Sequence, residues 1–274
     1  DPDIFRICAW QEEILDGLLG NDLMGSHIGE HSNNFVRSVS RVLDARVDQE
    51  CNLVNYKGGT TLVRPFPVSI DFEQINQEAQ TDEVDREMER LVEELRLEGQ
   101  VVGLGIDRID YTKGIPHRFK AIGRFFEKYP QYLEKVGFVQ AGVISRSDID
   151  AYRWLAEQIE QLLEDVNSRF ARNGWQPIIY LPDDLPGDTL MALRRLAQFC
   201  LVSSLHAGMN LVAKEYVASR FDEDGILILS PFTGAALELT QALIVIAYAT
   251  EDFADNILKA VTMSPLERQW RMQQ

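Results

Sequence analysis

A short loop with two positive side chains is the most direct sign of chemistry in this chain. Arg108 and Lys113 follow the apolar run 101–106, which is typical of a buried strand. Two fixed cations at the end of a strand can neutralise a diphosphate as it leaves, without a metal. The alternative is that Arg108 pairs with Asp107 or Asp110 and that Lys113 faces solvent.

A second loop, residues 206–215, joins the apolar run 199–203 to a helix through a turn at Gly208. The first amides of a helix have no partner within it and carry the positive end of its dipole, so they attract oxygen-rich ligands. Glu215, about a turn into this helix, could accept hydrogen bonds from the hydroxyls of a ribose. The alternative is a strand-to-helix turn in which Gly208 only lets the chain reverse.

A third loop, residues 145–148, follows the apolar strand that ends at Val143. It adds Arg146, a cation suited to a phosphate. The alternative is a helix start at which Ser147 or Asp148 caps the following helix.

The elements that must position these loops alternate regularly after residue 99. A helix is predicted from Pro116 and a longer one over 149–170, and the strands are predicted at 101–106, 136–143, 177–181, 199–203, 226–229 and 243–245. Apolar strands separated by helices predict a parallel sheet covered on both faces. Ligands of such sheets bind at the carboxyl ends of the strands, where the three loops should meet.

The first part of the chain shows a weaker pattern. Helices are predicted over 10–19 and 30–43, and a strand over 61–66. The acidic stretch 73–98 is predicted to be one solvated helix that turns its apolar residues inward, namely Met88, Leu91, Val92 and Leu95.

Composition limits the classes of partner. The chain has 274 residues, 45% of them hydrophobic, and a net charge of −16, which argues against general binding of nucleic acid or an anionic membrane. Its three widely spaced cysteines favour reduced thiols and a cytoplasmic protein over disulfides or a metal site. No apolar run has the length of a membrane span, and no signal peptide is recognised.

Taken together, the motifs resemble the trehalose-6-phosphate synthase family. The order and spacing of matching segments hold over nearly the whole chain, at 107–115, 145–146 and 208–218, with further matches at 4–5, 10–15, 22–25, 66–71 and 229–236. The resemblance implies a retaining glycosyltransferase of the GT-B type, an α/β protein with two Rossmann-like domains built on parallel sheets.

The same resemblance implies a domain organisation. Residues 1–72 would be the remnant of an amino-terminal, acceptor-side domain, and 73–253 the nucleotide-sugar-binding domain. Residues 254–274 would form a helix that crosses back. The family's amino-terminal portion is missing and the chain does not begin with Met, so we expect a fragment with the first domain only partly present.

The family's site residues carry over to matching positions. Arg108 and Lys113 match the cations that hold the donor diphosphate, and Arg146 matches the arginine on the acceptor phosphate. Glu215 matches the carboxylate on the ribose. Donor sugar and phosphate would meet the backbone of Gly208, Met209, Asn210, Leu211 and Val212. No metal, cofactor or protein nucleophile is implied, because the leaving diphosphate assists deprotonation of the acceptor.

Four departures from the family pattern stand out. The pattern has an aspartate on the donor sugar at position 207, where this chain has Ala207. A methyl group cannot accept those hydrogen bonds. Either this protein therefore transfers sugar poorly, or alanine was introduced here in place of the original residue. The other departures are Ser26 for a phenylalanine, Ile144 for a proline, and Ile246 with Ala247 for an Asn-Pro pair.

Three functions remain open from the sequence. The first is transfer of glucose from a nucleotide-diphosphate glucose, such as UDP-glucose, to glucose 6-phosphate. The second keeps the donor and uses glycerol 3-phosphate, as in glucosylglycerol-phosphate synthase. The third is a nucleotide-binding or regulatory homologue without activity, which Ala207 suggests. All three leave room for a homo-oligomer.

Overall fold

A computed structural model describes residues 2–143 and 148–274 of the protein. They form two compact units, Asp1–Ser69 and Ile70–Gln274. The helices are α1 (Pro2–Phe5), α2 (Gln11–Leu18), α3 (Gly29–Val42), α4 (Phe72–Glu78), α5 (Asp82–Glu94), α6 (Ile115–Lys128), α7 (Asp150–Phe170), α8 (Gly187–Leu196), α9 (Leu211–Ser219), α10 (Thr250–Thr262) and α11 (Pro265–Gln273). The strands are β1 (Leu23–Ser26), β2 (Arg46–Asp48), β3 (Leu53–Tyr56), β4 (Gly59–Pro65), β5 (Val101–Ile106), β6 (Val136–Ala141), β7 (Ile178–Leu181), β8 (Phe199–Val202), β9 (Ile226–Leu229) and β10 (Leu243–Ile244).

The first unit contains a four-stranded mixed sheet in the order β1-β4-β3-β2. The β1–β4 pair is parallel, and the β4–β3 and β3–β2 pairs are antiparallel. A two-residue turn with positive φ at both positions, Lys57 (48°) and Gly58 (86°), closes the β3–β4 hairpin. The apolar faces of α2 and α3 share one core with the sheet, formed by Leu15, Val36, Val39, Val54 and Val63.

The second unit is built on a six-stranded sheet in the order β10-β9-β8-β5-β6-β7, with every pairing parallel. This is the Rossmann strand order, in which the chain starts at a central strand and adds strands first to one side and then to the other. The parallel α/β fold predicted for this part is confirmed. Aromatic side chains dominate the core between the sheet and α6, with Phe119, Phe125, Phe126, Phe138 and Phe199 all buried.

The acidic stretch is not one helix, as the sequence predicted, but two. Helix α4 ends at Glu78, the chain is extended at Thr81, and α5 begins at Asp82. Three carboxylates fall in the first turn of α5, where they interact favourably with the positive end of the helix dipole. Of the side chains predicted to turn inward, Leu91 is buried, and Met88, Val92 and Leu95 are half-buried. Local charge therefore favours restarting the helix over continuing it.

The carboxyl-terminal segment also forms two helices, α10 and α11, separated at Pro265, which opens α11. Among the helices that the structure describes, none combines the length and apolar character needed to cross a membrane.

Candidate functional site at the switch point of the parallel sheet

The loops that carry the predicted site follow two adjacent strands. β5 pairs with β8 at the centre of the sheet, and the strand order reverses between them. In open parallel sheets the crevice outside the carboxyl ends of two such strands is the usual ligand site. The sheet therefore brings the Arg108 loop and the Gly208 loop together.

Arg108 and Lys113 do not pair with the aspartates of their own loop. Arg108 is exposed and Lys113 half-buried, and neither forms an ion pair with any residue in the described ranges. Asp107 instead pairs with Arg118, at 2.7 Å. Asp110 accepts hydrogen bonds from the amide and the hydroxyl of Thr112, at 2.8 and 2.7 Å. The pairing alternative is thus wrong, and both cations keep their charge available to a ligand.

The hydrogen bonds of Asp110 also affect its ionisation. Partial burial opposes ionisation, but the hydroxyl and the amide of Thr112 outweigh it, and the pKa of the Asp110 carboxyl is lowered. The carboxylate caps the short 3-10 turn Tyr111–Lys113, which is followed by Gly114 with a left-handed φ of 66°. A Cβ at Gly114 would overlap the carbonyl oxygen of Ser203. The loop end is therefore held against the end of β8.

A buried side-chain network anchors this loop from below. The Arg118 guanidinium on α6 donates to Asp107 (2.7 Å), to Gln140 on β6 (2.6 Å) and to Ser203 after β8 (3.1 Å). The Ser203 hydroxyl in turn donates to the carbonyl oxygen of Lys113 at 3.1 Å. Three strand ends are thus fixed through one side chain that is 1% exposed.

The sequence analysis missed Arg118, although one signal pointed to it. Arg118 lies at helical spacing from Ile115 and Ile122, on the apolar face of α6. A charged residue on such a face must find partners in the core, because an unpaired buried charge is costly. Burial raises the pKa of the Asp107 carboxyl, and the Arg118 guanidinium opposes that shift.

The second loop is held by its backbone. The Ala207 amide donates to Phe232 at 3.0 Å, and the Gly234 amide donates to Ala207 at 3.2 Å. The carbonyl of Met209 accepts from Ala235 at 2.8 Å, while the Met209 side chain is buried. These bonds join the loop to the segment after β9 and leave the half-buried Ala207 methyl at the position of the expected aspartate.

The left-handed residue of this turn is Asn210, with φ of 82°, and not Gly208, whose φ is not positive. The Asn210 side chain caps α9 by accepting from the amide of Ala213 at 3.0 Å. The amides of Leu211 and Val212, the first two of α9, have no carbonyl partner inside the helix. They remain suited to an anionic oxygen.

Glu215 lies on α9, one turn after those amides, and forms an ion pair with Arg194 of α8. The Glu215 side chain is 26% exposed and that of Arg194 is 11% exposed. The sequence did not predict this partner. The carboxylate is therefore fixed from within the protein while part of it faces outward.

A pocket opens beside Arg108 at the carboxyl ends of β5 and β6. It is lined by Arg108, Gly142, Val143, Asp183, Leu185 and Leu190. Arg146 and Ile144, which the sequence analysis singled out, lie outside the described residues, so the acceptor-phosphate role of Arg146 stays a prediction.

Comparison with known proteins identifies the class. The family model of glycosyltransferase family 20 matches residues 1–274. The chain belongs to this family.

Individual relatives and solved structures agree with the family match. A UDP-forming α,α-trehalose-phosphate synthase A from Dictyostelium discoideum is 36% identical over 271 residues, which are 99% of this chain and 36% of the relative. Among solved structures, one described as trehalose-6-phosphate from E. coli bound with UDP-2-fluoro glucose is 32% identical, with a TM-score of 0.93. The match covers 99% of this chain and 60% of that one.

A second solved structure is an α,α-trehalose-phosphate synthase from Burkholderia xenovorans in complex with glucose-6-phosphate. It is 30% identical with a TM-score of 0.93, over 99% of this chain and 60% of that one. The chain thus spans less than two thirds of the length of this relative and of these two solved structures.

Proposed function

We propose that this chain provides the donor-binding side of a retaining glycosyltransferase that moves glucose from UDP-glucose to glucose 6-phosphate. The observation that carries the proposal is a pair of cations, Arg108 and Lys113, that form no ion pair with a carboxylate of the described residues. They follow β5, next to the strand that leads to the first amides of α9, at the switch point of the sheet. Proteins of the same family are UDP-forming or were solved with a UDP-glucose analogue and with glucose-6-phosphate.

In the proposed reaction the donor diphosphate lies between Arg108, Lys113 and the amides of Leu211 and Val212. The bond between sugar C1 and the diphosphate oxygen breaks as the acceptor hydroxyl bonds to C1 on the same face. The acceptor proton passes to the leaving diphosphate. Cations and oriented amides stabilise the charge that develops on that group, which is usually the largest single contribution to such catalysis.

Ala207 favours a second candidate, a homologue that binds nucleotide without transferring sugar. Its methyl group cannot accept hydrogen bonds from sugar hydroxyls, whereas the phosphate and ribose contacts do not depend on it. Both candidate functions therefore predict that nucleotide binds, and only the first predicts that sugar is transferred.

Two measurements separate the candidates, the second of them made on the protein with the family's complete amino-terminal domain present. Calorimetry with UDP, ADP and GDP tests for nucleotide binding and shows which base is preferred. Release of UDP from UDP-glucose is then measured with glucose 6-phosphate or glycerol 3-phosphate as acceptor. Binding with transfer to glucose 6-phosphate supports the proposal, transfer to glycerol 3-phosphate changes the acceptor, and binding without transfer supports the second candidate. The absence of nucleotide binding would contradict both.

A further inference from the structure

The ion pair between Arg194 and Glu215 is open on its outer side. The Arg194 guanidinium donates through Nη2 to Oε2 of Glu215. The second carboxylate oxygen, Oε1, accepts no hydrogen bond from any residue in the described ranges. The carboxylate is thus bound from the protein side by one oxygen, with the other left for a ligand.

The Arg194 side chain forms few other polar contacts with the described residues. Its side chain is 11% exposed, and its Nε is buried without a hydrogen-bond partner among the described residues. Glu215 is the one acceptor that the guanidinium has within 2–143 and 148–274. The neighbouring arginine differs, because Arg195 donates to the carbonyl of Ala79 and to Asp85 on α5. Adjacent residues of the same type and similar burial therefore face different groups.

We infer that Arg194 is a positioning residue for ribose recognition. It holds the Glu215 carboxylate in one orientation before the nucleotide arrives, so that Oε1 meets the ribose hydroxyls. A glutamate has three side-chain torsions to restrict on binding, and a charged partner already in place removes part of that cost. The inference rests on the proposed function, since it presupposes that Glu215 meets a ribose.

The test compares UDP with its 2′,3′-dideoxy counterpart, which lacks the hydroxyls. Calorimetry on the full chain gives the ratio of the two dissociation constants. For the unaltered protein we expect UDP to bind at least about tenfold more tightly, as for hydrogen bonds to a charged group. Arg194→Leu should reduce that ratio by about 3- to 10-fold and leave the affinity for the dideoxy nucleotide unchanged.

Arg195→Leu is the matched control, because it removes the same charge from the same helix without touching Glu215. It should leave the ratio at its original value even if the protein becomes less stable. Arg194→Lys keeps the charge and should recover part of the ratio. This variant also covers the case in which Arg194→Leu does not fold.

The outcomes separate the inference from the proposed function. An unchanged ratio in Arg194→Leu and Arg194→Lys, in a protein that binds UDP, would overturn the positioning role alone. Failure of the unaltered protein to bind UDP would overturn the proposed function, and the inference with it. A selective loss of the UDP preference, with no loss in Arg195→Leu, would support both.

Discussion

Two arginine–carboxylate pairs lie beneath the two loops of the site and differ in how far they are closed. Asp107 and Arg118 are 3% and 1% exposed, and the guanidinium has two further partners in the core. Glu215 and Arg194 are 26% and 11% exposed, and each retains an atom without a partner in the described part of the chain. The closed pair anchors the loop that carries Arg108 and Lys113, whereas the open pair leaves one carboxylate oxygen without a partner among the described residues.

The closed pair should show the largest effect on stability. Asp107→Asn leaves the Arg118 guanidinium buried without a countercharge, and breaking a buried pair in this way costs about 3–5 kcal/mol. Urea unfolding of the full chain measures the loss. Glu251→Gln is the control, because it removes one of the two carboxylate partners of Arg124, a residue of the same helix α6, at a pair that is 38% and 61% exposed.

An exposed pair of this kind contributes about 0–1 kcal/mol. If Asp107→Asn cost no more than Glu251→Gln, the buried network would not be what holds the loop, and the contrast between the two pairs would disappear.

The comparison also shows what the sequence could predict. The strands of the second unit were predictable because a strand buried on both faces is a short continuous apolar run, as at Val101–Ile106 and Ile226–Leu229. Their parallel pairing followed from the helices between them, and that pairing placed the Arg108 loop beside the Gly208 loop. The fold of this unit and the positions of its loops could therefore be predicted from local, periodic patterns in the sequence.

The partners of the charged residues were not predictable in this way. Arg118 joins Asp107, Gln140 and Ser203, which are up to 85 residues away in the chain. Which aspartate an arginine selects depends on the order of strands in the sheet, and periodicity does not encode that order. For the same reason the sequence left Arg108 free to pair with Asp110, which the structure instead uses to cap a turn.

Ala207 gives the sharpest contrast in rate. Ala207→Asp adds a carboxylate that can orient the donor sugar, and misplacement of a substrate by about 1 Å can cost on the order of 10²-fold in rate. We therefore expect turnover with UDP-glucose and glucose 6-phosphate to rise by about that factor while UDP affinity changes little. Initial rates and calorimetry give the two quantities.

Ala207→Asn is the matched control, since it adds a side chain of similar size without the charge. Its gain in turnover should be smaller. In a protein with the amino-terminal half intact, equal and negligible turnover with Ala, Asn and Asp at this position would instead favour the nucleotide-binding homologue without transfer.

The outward cations should affect binding and not stability. Arg108→Ala or Lys113→Ala removes a charge-assisted hydrogen bond to the diphosphate, worth about 1.5–3 kcal/mol of binding free energy. Calorimetry with UDP measures it. Lys120→Ala, which alters an exposed lysine on α6, should leave UDP affinity unchanged. Normal UDP binding by both variants would show that the diphosphate does not bind at this loop.

A third arginine–carboxylate pair, Glu87 and Arg90 on α5, is the one that we expect to contribute least to stability. Glu87 accepts two hydrogen bonds from Arg90, each at 2.7 Å, and one from the Thr189 hydroxyl of α8 at 2.5 Å. Its hydrogen bonds to Arg90 and then to Thr189 lower the pKa of the Glu87 carboxyl to about 2, against partial burial.

Because the folded-state pKa lies below the ordinary value of 4.5, the stabilisation from Glu87 is complete above that value and is lost as the pH falls towards about 2. Glu87→Gln should therefore destabilise the protein at neutral pH, by no more than about 1 kcal/mol for so exposed an arginine partner. Urea unfolding is measured at neutral pH and at several pH values below 4.5. The gap, which is the difference in free energy of unfolding between the variant and the unaltered protein, should become smaller as the pH falls. Glu89→Gln, at an exposed carboxylate of the same helix, is the control and should show little gap at any pH. A gap for Glu87→Gln that did not change with pH would mean that the carboxyl acts through its shape and not through its charge.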